Sequence, residues 1–229
     1  MIEFVFLDLD ATLLDFLKAE SVALGKVLAR EGIEVTDHTV ARYSEINDYH
    51  WKLLEMGKLT RDEVKFKRFQ VFFDEMRIKT DVEAARRFYE EQLGIGHYFM
   101  PGAEELLEAM RGKYRLFIMS NGTVSVQNGR IASANIARYF EKIFLSEAVG
   151  FNKPQKEFFD ACFAEIPNFD PEKAIILGDS LSSDILGGIN AGIATCWFNP
   201  LKKSGSPAII PDYEIETLAE FVPLLQSIQ

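Results

Sequence analysis

The stretch that organises the chain is Phe4-Val-Phe-Leu-Asp-Leu-Asp-Ala-Thr-Leu-Leu14. Its four apolar residues in a row predict a strand that is buried on both faces of a parallel sheet. Asp8 and Asp10 follow at the point where this strand would meet water. Two carboxylates so close together are favoured by a bound cation or a shared proton. Thr12 adds a hydroxyl donor beside them. The alternative is a solvated strand end with a capping aspartate, and the later motifs decide between the two.

The composition narrows the classes of function. The chain has 229 residues, of which 48% are hydrophobic and 26% charged, as in ordinary globular proteins. Its formal net charge of −10 argues against binding DNA or RNA polymers, but a small phosphorylated ligand is still allowed. No apolar run approaches the roughly 18 residues of a membrane span. The start of the sequence lacks the basic residues of a signal peptide. Cys162 and Cys196 are too few for a disulfide framework. We therefore expect a cytoplasmic protein that does not enter a membrane.

Helical patterns fill the chain from Phe16 to about Gly94, and no strand pattern occurs there. A helix is expected from Asp37 to Met56. Capping boxes predict two more helices, one starting at Thr60-x-x-Glu63 and one at Thr80-x-x-Glu83. The apolar face of the first helix is expected to contain Leu17, Val22, Leu24, Val27 and Leu28. These patterns predict a helical bundle inserted after the first strand.

Beyond this segment, strand patterns alternate with helical ones. The expected strands are 114–119, 142–145, 174–177, 194–198 and 213–215. Such alternation predicts an α/β fold with a doubly wound, Rossmann-like parallel sheet that has helices on both faces. The predicted domains are a core, formed by residues 1–15 and 97–229, and a helical domain of residues 16–96.

Three predicted strands end in polar groups: Asp8 with Asp10, Ser120 with Asn121, and Asp179. Ligands of such sheets bind at the carboxyl ends of the strands, so these groups are expected to converge at one edge. A solvated strand end explains any one of them, but it does not easily explain all three. The Ser120 hydroxyl suits a phosphate oxygen, and amides at Asn121 and Gly122 can add donors.

The segment Gly178-Asp179-Ser180-Leu-Ser-Ser-Asp184 contains a second acidic pair. Asp179 is placed to share a metal with Asp8. Asp184 could bind that metal through water or orient Lys153, and a helix N-terminal aspartate is the alternative interpretation. Lys153 could offset the charge of carboxylates and phosphate, although a lone loop lysine is usually solvated.

Together these residues resemble the four motifs of the haloacid dehalogenase superfamily of phosphohydrolases. The first motif is Asp8-Leu-Asp-Ala-Thr12, the second Ser120, the third Lys153 and the fourth Gly178-Asp179-x-x-x-x-Asp184. The inserted helices resemble the cap domain of subfamily I. Ala11 departs from the superfamily, which most often has glycine there. Because that position serves backbone geometry, we expect activity to survive.

The resemblance implies two-step phosphoryl transfer. Asp8 is the expected nucleophile and Asp10 the expected general acid and base. Mg²⁺ is the implied cofactor, bound by Asp8, the Asp10 backbone carbonyl and Asp179, with Asp184 in the same metal site. Ser120 and Lys153 are expected to hold the phosphate, with Thr12, Asn121 and Gly122 beside them.

A closer resemblance is to bacterial nucleoside 5′-monophosphatases that favour pyrimidine nucleotides. It lies in residues 184–197 and 47–59. It implies a small phosphomonoester, a nucleotide, as substrate. Asn47 and Trp51, four residues apart on one helix, could read a pyrimidine edge and stack on its ring. The alternative is that Trp51 packs in the core of the cap.

Other functions stay open at this point. A phosphatase or phosphomutase acting on a sugar phosphate or phosphoglycolate would share all four motifs. A haloacid dehalogenase would share the fold and nucleophile, but it needs no metal and lacks an acid at the position of Asp10. A signalling receiver module would be smaller and without the helical insertion, and a catalytically dead binding protein would not need every motif position filled. Monomer and homodimer are equally compatible with the sequence.

Overall fold

The sheet is parallel throughout, as predicted. In the computed structural model, which describes residues 1–228, the strands are β1 (Phe4–Leu7), β2 (Arg115–Ser120), β3 (Lys142–Leu145), β4 (Ala174–Gly178), β5 (Ala194–Phe198) and β6 (Tyr213–Ile215). Their order in the sheet is β3-β2-β1-β4-β5-β6. Strand β1 is therefore central, with Phe4 paired to Arg115 of β2 on one side and to Ala174 of β4 on the other.

Helices cover the sheet and form the inserted segment. Over the same residues they are α1 (Phe16–Arg30), α2 (Asp37–Glu55), α3 (Arg61–Glu75), α4 (Val82–Gly94), α5 (Ala103–Met110), α6 (Val124–Ser133), α7 (Ser146–Val149), α8 (Lys156–Ala164), α9 (Leu186–Ala191) and α10 (Phe221–Ser227). Among these described helices, none is both long enough and apolar enough to cross a bilayer.

Strand β1 is buried on both faces, which confirms the prediction from its apolar run. Successive side chains of a strand point to opposite faces. Phe4 and Phe6 accordingly pack in a cluster that includes Phe158 of α8, and Val5 and Leu7 pack in a cluster with residues of α5 and α10. Burying each such side chain contributes about 1.5–3 kcal/mol, so all four residues of β1 stabilise the centre of the sheet.

The inserted helices α1–α4 share a hydrophobic cluster that contains Tyr43, Phe69, Phe72 and Tyr89, and Val126 of α6 joins it. No described residue between 16 and 94 lies in a strand, as the sequence predicted. The boundaries assigned above to the two domains stay a prediction.

Two local predictions in this segment were wrong. Leu17 and Val22 of α1 are 61% and 38% exposed, because the first turns of the helix pack through the small residues Ala19 and Ala23 instead. The other three residues of the predicted face are buried, as expected: Leu24, Val27 and Leu28. Helix α4 begins at Val82 with Asp81 as its N-cap, whose carboxylate accepts hydrogen bonds from two backbone amides. Thr80 instead donates its hydroxyl to Glu31.

A π-helical turn follows β4. It covers Leu181–Ile185 and leads directly into α9. Such wide turns are frequent at functional sites.

Candidate active site

The polar groups predicted to converge do so at the carboxyl edge of the sheet. Asp8 follows β1, Ser120 ends β2 and Asp179 follows β4, and these three strands are neighbours. Asp8, Asp179 and Asp184 each offer a carboxylate oxygen, and the three oxygens lie within 4.8 Å of one another. The sheet order thus brings together side chains that are far apart in the sequence.

Lys153 lies under this acidic cluster and is almost fully buried. Its Nζ donates to Asp8 Oδ1 at 2.7 Å, to Asp184 Oδ1 at 2.6 Å and to the Met119 carbonyl oxygen at 2.6 Å. Burial opposes the charged ammonium, but Asp184 and Asp8 outweigh it and raise the pKa of Lys153. Lys153 is therefore a cation whose three protons are all bonded to protein oxygens. Its bond to Asp8, the expected nucleophile, offsets part of the charge of that carboxylate.

The cluster carries more negative charge than this one lysine balances. Burial, reinforced by Asp184, raises the pKa of Asp179 to about 7. Burial also raises the pKa of Asp8; Lys153 opposes this shift, and the neighbouring carboxylates Asp184, Asp179 and Asp10 add to it. A cation bound among these oxygens would remove the repulsion. The donor set, made of carboxylate oxygens, fits a hard divalent ion such as Mg²⁺.

Three residues fix the geometry of the segment after β4: Asp184, Gly178 and Trp197. Both oxygens of Asp184 are engaged by the protein, since Oδ1 accepts from Lys153 and Oδ2 accepts from the Ser180 amide at 3.1 Å. This is the arrangement in which Asp184 orients the lysine, while its role toward a metal stays a prediction. A Cβ at Gly178 would lie 2.3 Å from the Asp184 carboxyl group, so only glycine fits there. The Trp197 indole donates to the Asp179 carbonyl oxygen at 2.8 Å.

The loop after β2 holds the predicted phosphate-binding groups. Ser120 Oγ accepts hydrogen bonds from the Gly122 amide at 3.1 Å and from Gln127 Nε2 at 2.9 Å, so its own proton is left to donate. The Asn121 side chain supports the neighbouring loop, and the phosphate contact expected of its backbone amide stays a prediction. Its amide brackets the Lys153 backbone, with Oδ1 accepting from the amide and Nδ2 donating to the carbonyl, both at 2.9 Å. Asn121 thus holds the lysine loop in place.

The loop after β1 turns sharply around Ala11, which has a φ of 62°. Left-handed backbone costs a residue with a Cβ roughly 1–2 kcal/mol, consistent with the glycine usual at this position in the superfamily. Thr12 is fully buried, and its Oγ1 has no hydrogen-bond partner among the described residues. Its predicted contact with a substrate is untested.

Asp10 is held by two residues that the sequence analysis missed. The Arg130 guanidinium bonds to its Oδ1 and Gln127 Nε2 bonds to its Oδ2. Both side chains come from α6, the helix that follows Ser120. The sequence did show that Gln127 and Arg130, three residues apart, share one face of a helix. A polar pair of this kind is more often exposed to solvent, so it did not indicate a site.

Comparison with known proteins identifies the family. The sequence profile of the haloacid dehalogenase-like hydrolases matches residues 5–198, which is most of the chain. The chain belongs to the haloacid dehalogenase-like hydrolases. The fold and superfamily predicted from the sequence are thereby confirmed.

Relatives of this hydrolase are similar over nearly the whole chain. It is 39% identical to HAD-hydrolase YfnB of Bacillus subtilis, covering 95% of this chain and 93% of that protein. It is 34% identical to pyrimidine 5′-nucleotidase PynA of Streptococcus pneumoniae, covering 97% and 94%, and 30% identical to pyrimidine 5′-nucleotidase YjjG of Escherichia coli, covering 97% of each. The crystal structure of YfnB bound to magnesium matches with a TM-score of 0.93, at 38% identity and 98% coverage of both chains. The predicted resemblance to pyrimidine nucleotidases is confirmed.

The inserted helices of this hydrolase contact the site edge through Arg61 and Glu55. Arg61, at the start of α3, donates to the Asn121 carbonyl oxygen, to Ser146 Oγ at 2.7 Å and to Asn152 Oδ1 at 2.6 Å. Glu55, at the end of α2, accepts from Ser182 Oγ at 3.0 Å. No feature of the sequence distinguished these two residues from surface charges.

The two residues predicted to bind a base lie on α2. Trp51 is half-buried, and its ring centre lies 5.7 Å from the Arg61 guanidinium. Asn47 is buried, and its amide is engaged on both sides: Nδ2 donates to Glu20 at 2.6 Å, and Oδ1 accepts from Arg68 at 2.7 Å. A contact between either residue and substrate stays a prediction.

Proposed function

We propose that this hydrolase is a Mg²⁺-dependent phosphatase that cleaves small phosphomonoesters through an aspartyl phosphate. Its proposed substrates are nucleoside 5′-monophosphates, with pyrimidine nucleotides preferred. The observation that carries the proposal is the Asp8 carboxylate at the end of the central strand, bonded to a buried lysine and surrounded by the groups that phosphoryl transfer requires.

In the first step, one oxygen of Asp8 attacks phosphorus and the bond from phosphorus to the ester oxygen breaks. Among residues 1–228, the one hydrogen bond to the Asp8 side chain comes from Lys153 and goes to Oδ1, which leaves Oδ2 for the attack. Asp10 gives its proton to the departing oxygen. Ser120 donates its hydroxyl proton to a phosphate oxygen, since that hydroxyl already accepts two bonds.

In the second step, water attacks the phosphorus of the aspartyl phosphate. Asp10, now a carboxylate, takes a proton from the water, and the bond between Asp8 and phosphorus breaks. Asp8 returns to its carboxylate form beside Lys153. The two steps release an alcohol, here a nucleoside, and inorganic phosphate.

The proposed metal ligands are Asp8, Asp179, the Asp10 backbone carbonyl and Asp184. Bound Mg²⁺ supplies positive charge to the phosphoryl oxygens and offsets the repulsion within the acidic cluster. The spacing of the carboxylate oxygens and the magnesium in the YfnB crystal support this assignment.

The choice of nucleotides rests on the relatives PynA and YjjG, whose names state that activity, at 34% and 30% identity. A flat aromatic face at the cap suits a nucleobase. We propose Trp51 as the stacking residue and Asn47 as the group that reads the pyrimidine edge. For Asn47 this requires that the base replace one of its present partners, Glu20 or Arg68. The proposed binding partner of the protein is this small-molecule substrate. The proposed location of the enzyme is the cytoplasm.

The test is phosphate release with Mg²⁺ from dUMP, dTMP, UMP, AMP, glucose 6-phosphate and phosphoglycolate, compared by kcat/KM. We expect the pyrimidine nucleotides to lead, Asp8→Asn to abolish turnover while the fold is kept, and a chelator to stop the reaction reversibly. Near-normal turnover by Asp8→Asn would refute the nucleophile. Full activity in EDTA would refute the metal dependence, and a clear preference for a sugar phosphate or phosphoglycolate would refute the nucleotide specificity alone.

A further inference from the structure

The carboxylate of Asp10 lies between two long side chains of α6. We propose that Arg130 and Gln127 are positioning residues that hold Asp10 in the orientation needed for proton transfer. This inference rests on the proposed function, in which Asp10 is the general acid and base.

Arg130 is completely buried, and its guanidinium is fixed on two sides. Nη1 bonds to Asp10 Oδ1, and Nε donates to the Gly96 carbonyl oxygen at 3.0 Å. Within the described part of the chain, Asp10 is the acidic residue paired with it. Burying a guanidinium without a carboxylate partner costs several kcal/mol. The charge of Arg130 therefore depends on Asp10, a residue of the proposed active site, for its compensation. An arginine used only for packing would not need that particular partner.

Gln127 joins Asp10 to the phosphate-binding serine. Its Nε2 donates to Asp10 Oδ2 and also to Ser120 Oγ at 2.9 Å, and the side chain is 1% exposed. A Cβ at Gly122 would lie 2.1 Å from this nitrogen, so the space for Gln127 exists because residue 122 is glycine. The side-chain amide of Gln127 therefore fixes the position of Asp10, the proposed acid, relative to Ser120, the proposed hydrogen-bond donor to the phosphate.

Close packing makes α6 a rigid support for these contacts. A Cβ at Gly129 would lie 2.6 Å from the Gly94 carbonyl oxygen, which shows how closely α6 approaches the end of α4. Residues 127 and 130, three apart, lie on one face of α6 and point to the same carboxylate. Functional groups held by packed helices keep their geometry better than groups held by loops.

Positioning matters here because Asp10 itself lies on a loop and its side chain is 28% exposed. With each oxygen accepting one hydrogen bond from α6, each retains a lone pair for the proton that it transfers. Asp10 gives that proton to the leaving oxygen in the first step. It takes a proton from water in the second step and so returns to its protonated form. Without the two donors the Asp10 side chain would move among its χ1 rotamers, and its carboxylate would spend less time within reach of the substrate.

The decisive experiment is a double-mutant cycle on kcat with a pyrimidine nucleotide. Arg130→Met should lower kcat by about 10- to 100-fold, as expected for a misplaced catalytic group, with KM little changed. In the Asp10→Asn background the same substitution should change kcat by less than about twofold, because a positioning residue has nothing left to position. An equal loss in both backgrounds would overturn the proposal.

Arg68→Met is the matched control, since Arg68 is also buried but pairs within the inserted helices. Arg68→Met should change kcat by the same factor in the wild-type protein and in the Asp10→Asn variant, whatever the size of that factor. Gln127→Met provides a second cycle if Arg130→Met does not fold. Both α6 variants should also lose less with an activated aryl phosphate, whose leaving group needs little protonation.

A cycle on the free energy of unfolding separates the remaining outcomes. Coupling between positions 10 and 130 in stability but not in kcat would identify a structural ion pair and overturn the positioning role, leaving the proposed function intact. A wild-type protein that releases no phosphate from any tested ester would overturn the proposed function, and the positioning role with it.

Discussion

Replacing Lys153 with methionine is expected to destabilise the protein strongly. Methionine is unbranched and only one heavy atom shorter than lysine, so the change removes the charged group and creates little empty space. It leaves two buried carboxylates, Asp8 and Asp184, whose oxygens lie 2.7 and 2.6 Å from the present Nζ. Removing one partner of a buried ion pair costs about 3–5 kcal/mol, because the remaining charge stays buried without compensation. For a chain of this size that corresponds to a fall in Tm of roughly 6–20 °C.

Lys156→Met is a control that makes the same substitution three residues away. Lys156 pairs with Asp160 on the surface, with both side chains more than half exposed, and such pairs contribute well under about 1 kcal/mol. The assay is urea or thermal unfolding in EDTA, so that no cation replaces the lysine. Equal, small losses in the two variants would refute the inference that Lys153 neutralises the cluster. Adding Asp184→Asn should recover part of the loss, because it removes one of the two orphaned carboxylates.

Three more outcomes are expected. Asp179→Ala should raise the Mg²⁺ concentration that gives half-maximal phosphate release, and an unchanged requirement would contradict its role as a ligand. Burial raises the pKa of Glu20, so the folded state holds the proton more tightly and the free energy of unfolding should fall as pH rises above 4.5. Glu20→Gln should flatten that slope, whereas parallel curves of stability against pH would speak against the shift. Trp51→Ala should raise KM for nucleotides and spare a small aryl phosphate; a uniform loss with a lower Tm would show that Trp51 is structural.

The parts of the site that lie at strand ends were predictable from the sequence. Apolar runs followed by polar residues locate the ends of β1, β2 and β4, and the rules of parallel sheets bring those ends together. Asp8, Ser120 and Asp179 could therefore be predicted without knowing a single contact. The order and spacing of these motifs also carried the resemblance to the family.

The parts supplied by helix faces were not predictable. The contact between Asp10 and Arg130 joins residues 120 positions apart, and nothing local to either one encodes it. Arg61 likewise follows a capping threonine in an ordinary first turn, and only the packing of α3 brings it to Asn121. The buried face of α1 was assigned correctly at Leu24, Val27 and Leu28, but its first turns were wrong because large apolar residues were counted as core where close helix packing selected alanine.

The central position of β1 also has a consequence for how the chain acquires its structure during synthesis. Both hydrogen-bonding partners of this strand come late, since β2 begins at Arg115 and β4 at Ala174. The contacts among α1–α4 join residues that are much closer in sequence. We therefore expect these helices to associate before β2 and β4 have been synthesised and can pair with β1. A nascent chain that stops short of residue 174 would have one edge of the fully buried strand β1 uncovered. That interval is when the chain is most exposed to aggregation and has most need of a chaperone.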